Sequence, residues 1–170
     1  MNTNQKVVYQ SGLLSLIEMQ TNRGKRVSLD MGGDAVLIIP RTKEGNYVLT
    51  VQTRHGKKEE VYEFPSGGIR DGETPQDAAT RELLEETGAF GKMQFLTTTE
   101  PLSGLVKFKV HIFYSDIETM SKEKMNLDKN EKLETVELSH DELITKILSF
   151  NIIDGYILLG LGALFMFSDK

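Results

Sequence analysis

One run of 23 residues, Gly67 to Ala89, constrains this chain more than any other stretch: GGIRDGETPQDAATRELLEETGA. Five residues separate Gly67 from Glu73, and seven more lead to Arg81-Glu82. Leu83, Glu85-Glu86, Gly88 and Ala89 follow, with Leu84 and Thr87 as free positions. Thr74 is a good helix N-cap, Pro75 suits the first helical position, and Asp77 completes an acidic capping box. Gly88 can take the positive φ that ends a helix. These caps predict a helix over Pro75 to Thr87, about 20 Å long. On its wheel Glu82, Glu85 and Glu86 share a sector of about 100°, with small Ala78 beside them, while Leu83 and Leu84 point elsewhere.

Such a fan of carboxylates is poor helix design unless something neutralises it, because like charges three and four apart cost about 0.2–0.5 kcal/mol per pair. A hard divalent cation removes that repulsion, and carboxylate oxygens suit Mg²⁺ or Mn²⁺. An isolated cluster of this kind would be read as a solvated acidic face, with Arg81 and Glu85 making an exposed pair. The loop Ser66-Gly67-Gly68 ahead of it favours the metal reading, since glycines let backbone approach a ligand closely.

The stretch resembles the signature box of the Nudix hydrolases, G-x5-E-x7-R-E-U-x-E-E-x-G-U, where U is a bulky aliphatic residue. All seven fixed identities are met, which at a given start has a chance frequency on the order of 10⁻⁸. Ala89 departs, being smaller than the usual Ile, Leu or Val. The resemblance implies a Nudix fold of the α/β (α+β) class, a mixed β-sheet sandwiched between helices. It implies metal ligation by Glu82, Glu85, Glu86 and the Ser66 carbonyl, and a structural strut between Glu73 and Arg81. Gly67 and Gly88 are then structural members of the box.

Outside the box, Gln52-Thr53-Arg54 followed by Glu63-Phe64-Pro65-Ser66-Gly67-Gly68 is similar to the ADP-ribose pyrophosphatase branch of the family. That likeness implies Arg54 as a phosphate or adenine contact, with a surface arginine in a turn as the alternative, and Glu63 as a metal or substrate contact. The branch also places a water-activating glutamate on the loop before the last strand. Here that implies Glu131, with Glu134 nearby and Lys129 leaving the register open. Pro101 and Ser103-Gly104 fit the branch only loosely.

The remaining chain reads as alternating strands. Residues 7–31 predict two or three strands about the turn Asn22-Arg23-Gly24-Lys25, an antiparallel arm over residues 1–33 ahead of a catalytic domain over 34–170. Ala35 to Pro40 reads as a buried strand, Lys43 to Asn46 as a hairpin turn, and Tyr47 to Gln52 as the next strand. After the box come strands over Met93 to Thr99 and Lys107 to Ser115, then a polar loop from Asp116 to Leu133. Glu134 to Leu138 is a last strand, Ser139 to Glu142 a capping box opening a helix to about Phe150, and Tyr156 to Phe167 a buried terminal helix. At twelve residues that apolar run is too short to span a bilayer. His55 and His140 read as exposed, and His111 as structural.

At 170 residues, 39% hydrophobic and 26% charged, the chain fits one globular domain. A net charge of −5 argues against a broad basic surface for nucleic acid. No cysteines and no signal-peptide pattern lead to an expected cytoplasmic location without a membrane anchor. The expected function is Mg²⁺-dependent (Mn²⁺ as substitute) hydrolysis of a nucleoside diphosphate derivative, ADP-ribose giving AMP and ribose 5-phosphate. The likeness to the branch also implies a homodimer paired through the N-terminal strands. Two alternatives remain open: action on nucleoside triphosphates or dinucleoside polyphosphates, and a non-catalytic nucleotide-binding domain. The last would not need Glu82, Glu85 and Glu86 together.

Overall fold

The computed structural model describes residues 5–53, 59–127, 133–149 and 154–167. Its centre is the strand Ala35–Arg41 (β4), whose Val36, Leu37, Ile38 and Ile39 have no exposed surface. Because side chains alternate along a strand, Val36 and Ile38 face one layer and Leu37 and Ile39 the other. The first layer is the helix Pro75–Thr87 (α1), which contributes Ala78, Ala79 and Leu83. The second is formed by His140–Leu148 (α2) and Gly155–Phe167 (α3), which contribute Leu143, Ile157 and Ala163. This is the mixed sheet between helices that the resemblance implies.

Three strands precede β4: Gln5–Ser11 (β1), Leu14–Thr21 (β2) and Gly24–Asp30 (β3). They form an antiparallel sheet extended by Val106–Lys107 (β9), which pairs in parallel with β3 at Leu29 and Asp30. Every residue of β1 is exposed.

In the central sheet, Tyr47–Thr53 (β5) meets β4 only at the Arg41↔Tyr47 pair, and the two strands then diverge. The opening is filled by Glu60–Glu63 (β6) on β5 and Ser66–Gly68 (β7) on β4. Ala89–Thr99 (β8) pairs antiparallel with Val110–Met120 (β10), which runs parallel to β4; Glu134–Leu138 (β11) closes the far edge against β5.

Four expectations are corrected. Residues 66–68 are a short strand rather than a free loop. β8 begins at Ala89, directly after the helix cap. The polar stretch expected to be a loop from Asp116 instead continues β10 to Met120, because Ile117 is buried against α1 and Asp116–Met120 find partners along β8. A 3₁₀ turn follows at Lys122–Lys124. Finally, α3 is not buried all round: Ile157, Gly160 and Ala163 face the sheet, whereas Leu158, Phe165 and Met166 are 60%, 81% and 64% exposed. Among the described residues, no helix is long and apolar enough to cross a membrane.

Candidate active site

The caps of α1 form as their residues dictate. Thr74 Oγ1 accepts from the Asp77 amide at 3.2 Å, Pro75 opens the first turn, and Gly88 closes the last with φ 66°. The Gly88 amide donates to the Leu84 carbonyl at 2.9 Å. Gly88 is also enclosed: the Ser121 amide donates to its carbonyl at 3.0 Å, locking the end of α1 to the end of β10. The helix is thereby held so that Glu82, Glu85 and Glu86 confront β7. Ala78, expected beside the acidic sector, is wholly buried against the sheet instead.

A cavity of about 210 Å³ lies between them, lined by Ser66, Gly67, Gly68, Arg70, Glu82, Glu85, Glu86, Asn126 and Leu127. The Ser66 amide donates to Glu86 Oε2 at 3.2 Å. Gly67 is pressed so close to Glu82 that a Cβ built there would lie 2.7 Å from Oε2, and nearer still to Cδ and Oε1. Elsewhere in the lining the Asn126 amide donates to the Glu85 carbonyl at 3.0 Å.

Arg81 is the structural hub. Its Nε and Nη2 grip both oxygens of Glu73 at 2.8 and 2.9 Å, and Nη2 also donates to the Gly68 carbonyl at 3.0 Å. Glu73 and Arg81, the pair that the resemblance implies as a strut, are thus ion-paired. Its Nη1 bridges Glu82 Oε1 at 2.6 Å and Glu85 Oε2 at 3.1 Å. The Arg81 hydrogen bonds hold the Glu73 carboxyl down at about 2 from an ordinary 4.5, and the same partners raise the Arg81 guanidinium further. Burial acts oppositely on Glu82, pushing its carboxyl up against the pull of Arg81.

Among the described residues, no three acidic or imidazole side chains already converge as a metal cluster. Arg81 Nη1 lies between Glu82 and Glu85 in this arrangement. The donor chemistry nevertheless fits a hard divalent ion: three carboxylates and a backbone wall meet in one small cavity, and the absence of a Cβ at Gly67 lets that wall touch a carboxylate.

Of the other expected residues, Arg54 and Glu131 lie outside the described residues, as does His55. Glu63 is 5% exposed, accepts from Gln52 Nε2 at 2.9 Å and does not line the acidic cavity. Glu134 is exposed at the start of β11, paired in register with Val51. His111 pairs its Nδ1 with Thr98 Oγ1 at 2.9 Å, in keeping with a structural role, and His140 is exposed. Sequence reasoning missed Arg70, Asn126 and Leu127 as lining residues. Arg70 occupies a free position of the box, and the other two arrive through tertiary contact.

A model described as the NUDIX domain matches residues 31–158. The chain belongs to the Nudix family. This Nudix hydrolase is 27% identical over 139 residues to an ADP-ribose pyrophosphatase of Bacillus subtilis (strain 168), covering 81% of this chain and 75% of that protein. It is 30% identical over 121 residues to a methanol dehydrogenase activator of Bacillus methanolicus, covering 71% of this chain and 65% of that relative. A crystal structure described as an ADP compounds hydrolase superposes with a TM-score of 0.72 over 98% of this chain and 90% of its own, at 23% identity. That likeness shows the fold.

Proposed function

We propose that this Nudix hydrolase is a Mg²⁺-dependent pyrophosphohydrolase that cleaves the diphosphate of ADP-ribose to AMP and ribose 5-phosphate, acting as a cytoplasmic homodimer. The observation that carries the reaction type is the acidic cavity, in which three carboxylates of α1 face a backbone wall with no side chain at Gly67. The substrate class is supported by the relationship to an ADP-ribose pyrophosphatase over 81% of the chain.

Glu82, Glu85, Glu86 and the Ser66 carbonyl would hold the divalent ions. Bound there, such ions supply charge neutralisation for a diphosphate and a more acidic water. The chain's own residues do the rest. Arg81, gripping Glu73 and the Gly68 carbonyl, ties α1 to β7, so the carboxylates keep their place around the cavity where a reacting phosphorus would lie. Water adds to that phosphorus, the bridging P–O bond breaks, and the water's proton passes to a carboxylate, a role assigned to Glu131 by the resemblance. Arg54 is the candidate contact to phosphate or adenine. Glu63, which accepts from Gln52, is the candidate metal or substrate contact carried over from the resemblance.

The dimer is supported by β1, an edge strand exposed along its whole length with Val7, Val8 and Tyr9 uncovered. A substrate panel tests the activity: ADP-ribose, other nucleotide sugars, NADH, nucleoside triphosphates and dinucleoside polyphosphates, each with Mg²⁺ and with Mn²⁺. ADP-ribose is expected to give the highest kcat/KM with AMP as product. A higher kcat/KM for a triphosphate or dinucleoside polyphosphate would replace the assigned substrate class.

A further inference from the structure

Among the described residues two guanidiniums touch the carboxylate fan, and they are held very differently. Arg81 has a side chain 15% exposed and is locked by Glu73, Glu82, Glu85 and the Gly68 carbonyl. Arg70 has a side chain 62% exposed, and its guanidinium makes one ion pair among the described residues, Nη2 to Glu85 Oε2 at 3.3 Å. Both arginines reach the same oxygen of Glu85.

The backbone of Arg70 is fixed although its side chain is not. Its amide donates to Glu73 Oε2 at 3.0 Å, and the neighbouring Ile69 amide donates to the Asp34 carbonyl at 3.0 Å. Arg70 is therefore a long cationic arm on a rigid mount at the rim of the acidic cavity.

We propose that Arg70 is an exchangeable counter-ion, an inference that rests on the metal-dependent reading above. In the metal-free protein it neutralises Glu85. With Glu85 engaged by the divalent ion that the site would hold, the Arg70 guanidinium would be freed to bind a phosphate of the incoming nucleotide. One oxygen cannot serve a divalent ion and two guanidiniums at full strength, and a displaced cation beside a bound cation is repelled unless an anion lies between them. A diphosphate is such an anion, and the planar fork of arginine suits phosphate oxygens. An exposed single pair is cheap to give up, so the exchange adds little to the cost of loading the site. Arg81 cannot act in this way, since moving it would undo the strut between α1 and β7.

The test compares wild type, Arg70→Gln and Arg70→Lys in two measurements. Mn²⁺ binding to the substrate-free protein is followed by water-proton relaxation. KM and kcat for ADP-ribose are then measured at saturating metal. Loss of the competing charge should tighten Mn²⁺ about two- to fivefold in Arg70→Gln. Loss of a charge-assisted phosphate contact should raise KM about tenfold, more than it lowers kcat. Arg70→Lys should restore the wild-type Mn²⁺ affinity but only part of the KM. Unchanged or weaker Mn²⁺ binding in Arg70→Gln would overturn the exchange, and so would a tighter Mn²⁺ with unchanged KM. If wild type itself binds no Mn²⁺, the metal-dependent reading falls together with it; wild-type binding with no effect of Arg70→Gln removes the exchange alone.

Discussion

Gly67→Ala is the substitution that most directly probes how the backbone wall meets the carboxylates. Gly67 does not need a left-handed backbone, so alanine meets no conformational penalty of that kind. Its methyl group would instead lie 2.7 Å or less from the Glu82 carboxylate, whereas ordinary van der Waals contact begins near 3.4 Å. Glu82 must therefore retreat by roughly an ångström, leaving its rotamer at about 0.5–1.5 kcal/mol and stretching its 2.6 Å bond to Arg81. A less flexible unfolded chain returns about 0.4–1 kcal/mol, so net stability should fall by no more than about 2 kcal/mol. Function should suffer far more, because misplacing a reacting or ligating group by about 1 Å can cost on the order of 10²-fold. Urea unfolding, Mn²⁺ binding and steady-state kinetics on the same preparation separate the two effects. A folded Gly67→Ala with near wild-type Mn²⁺ affinity and kcat would refute the idea that this glycine exists to clear Glu82.

Glu86→Gln or Glu82→Gln should lower kcat at least about 10²-fold while circular dichroism remains native, and near wild-type turnover in either would remove that residue from the ligand set. Glu73 is held at about 2 by Arg81, below its ordinary 4.5, so its contribution to stability is full above about pH 4.5 and is lost as pH falls toward 2. The stability gap between wild type and Glu73→Gln, from urea titrations, should accordingly be constant near pH 7 and shrink near pH 3; a gap independent of pH would contradict the strut's charge. Sedimentation should show a species of twice 19.1 kDa at micromolar concentration, and a 19.1 kDa monomer would exclude the dimer. Glu131→Gln should lower kcat steeply with little change in KM or metal affinity, and unchanged kcat there returns the proton-accepting role to the box glutamates.

What could be read in advance was what local chemistry determines. Helix α1 spans Pro75–Thr87 as its caps require, because Thr74, Pro75 and Gly88 act within a few residues of one another. Ser139 and Glu142 likewise form their reciprocal capping box. The extent of β10 was hidden, since Asp116–Met120 is polar and becomes a strand only through its pairing with β8. The orientation of α3 was hidden by its uniform apolarity, yet a signal was present. A Cβ on Gly160 would lie 3.1 Å from the Phe64 ring, marking the closest approach, whereas Gly162 two residues on is exposed with open space beside it, so small size by itself identifies the face only in part. At the site, the three glutamates and the Arg81–Glu73 strut followed from spacing and resemblance. Asn126, which closes the cavity by a backbone bond to Glu85, has no sequence period to announce it.

The wall formed by β7 belongs to the sheet itself, stitched to β4 through the Ile38–Pro65 and Ile69–Asp34 backbone bonds. Drawing it aside would mean peeling away a partner of the most deeply buried strand in the molecule. The stretch that carries Asn126 follows an exposed 3₁₀ turn and meets the end of α1 through backbone bonds at Gly88 and Glu85. The site is thus built like a vice with one jaw cast into the bench. Substitutions at Asn126 can therefore reshape the cavity without touching the sheet pairing that anchors the other jaw.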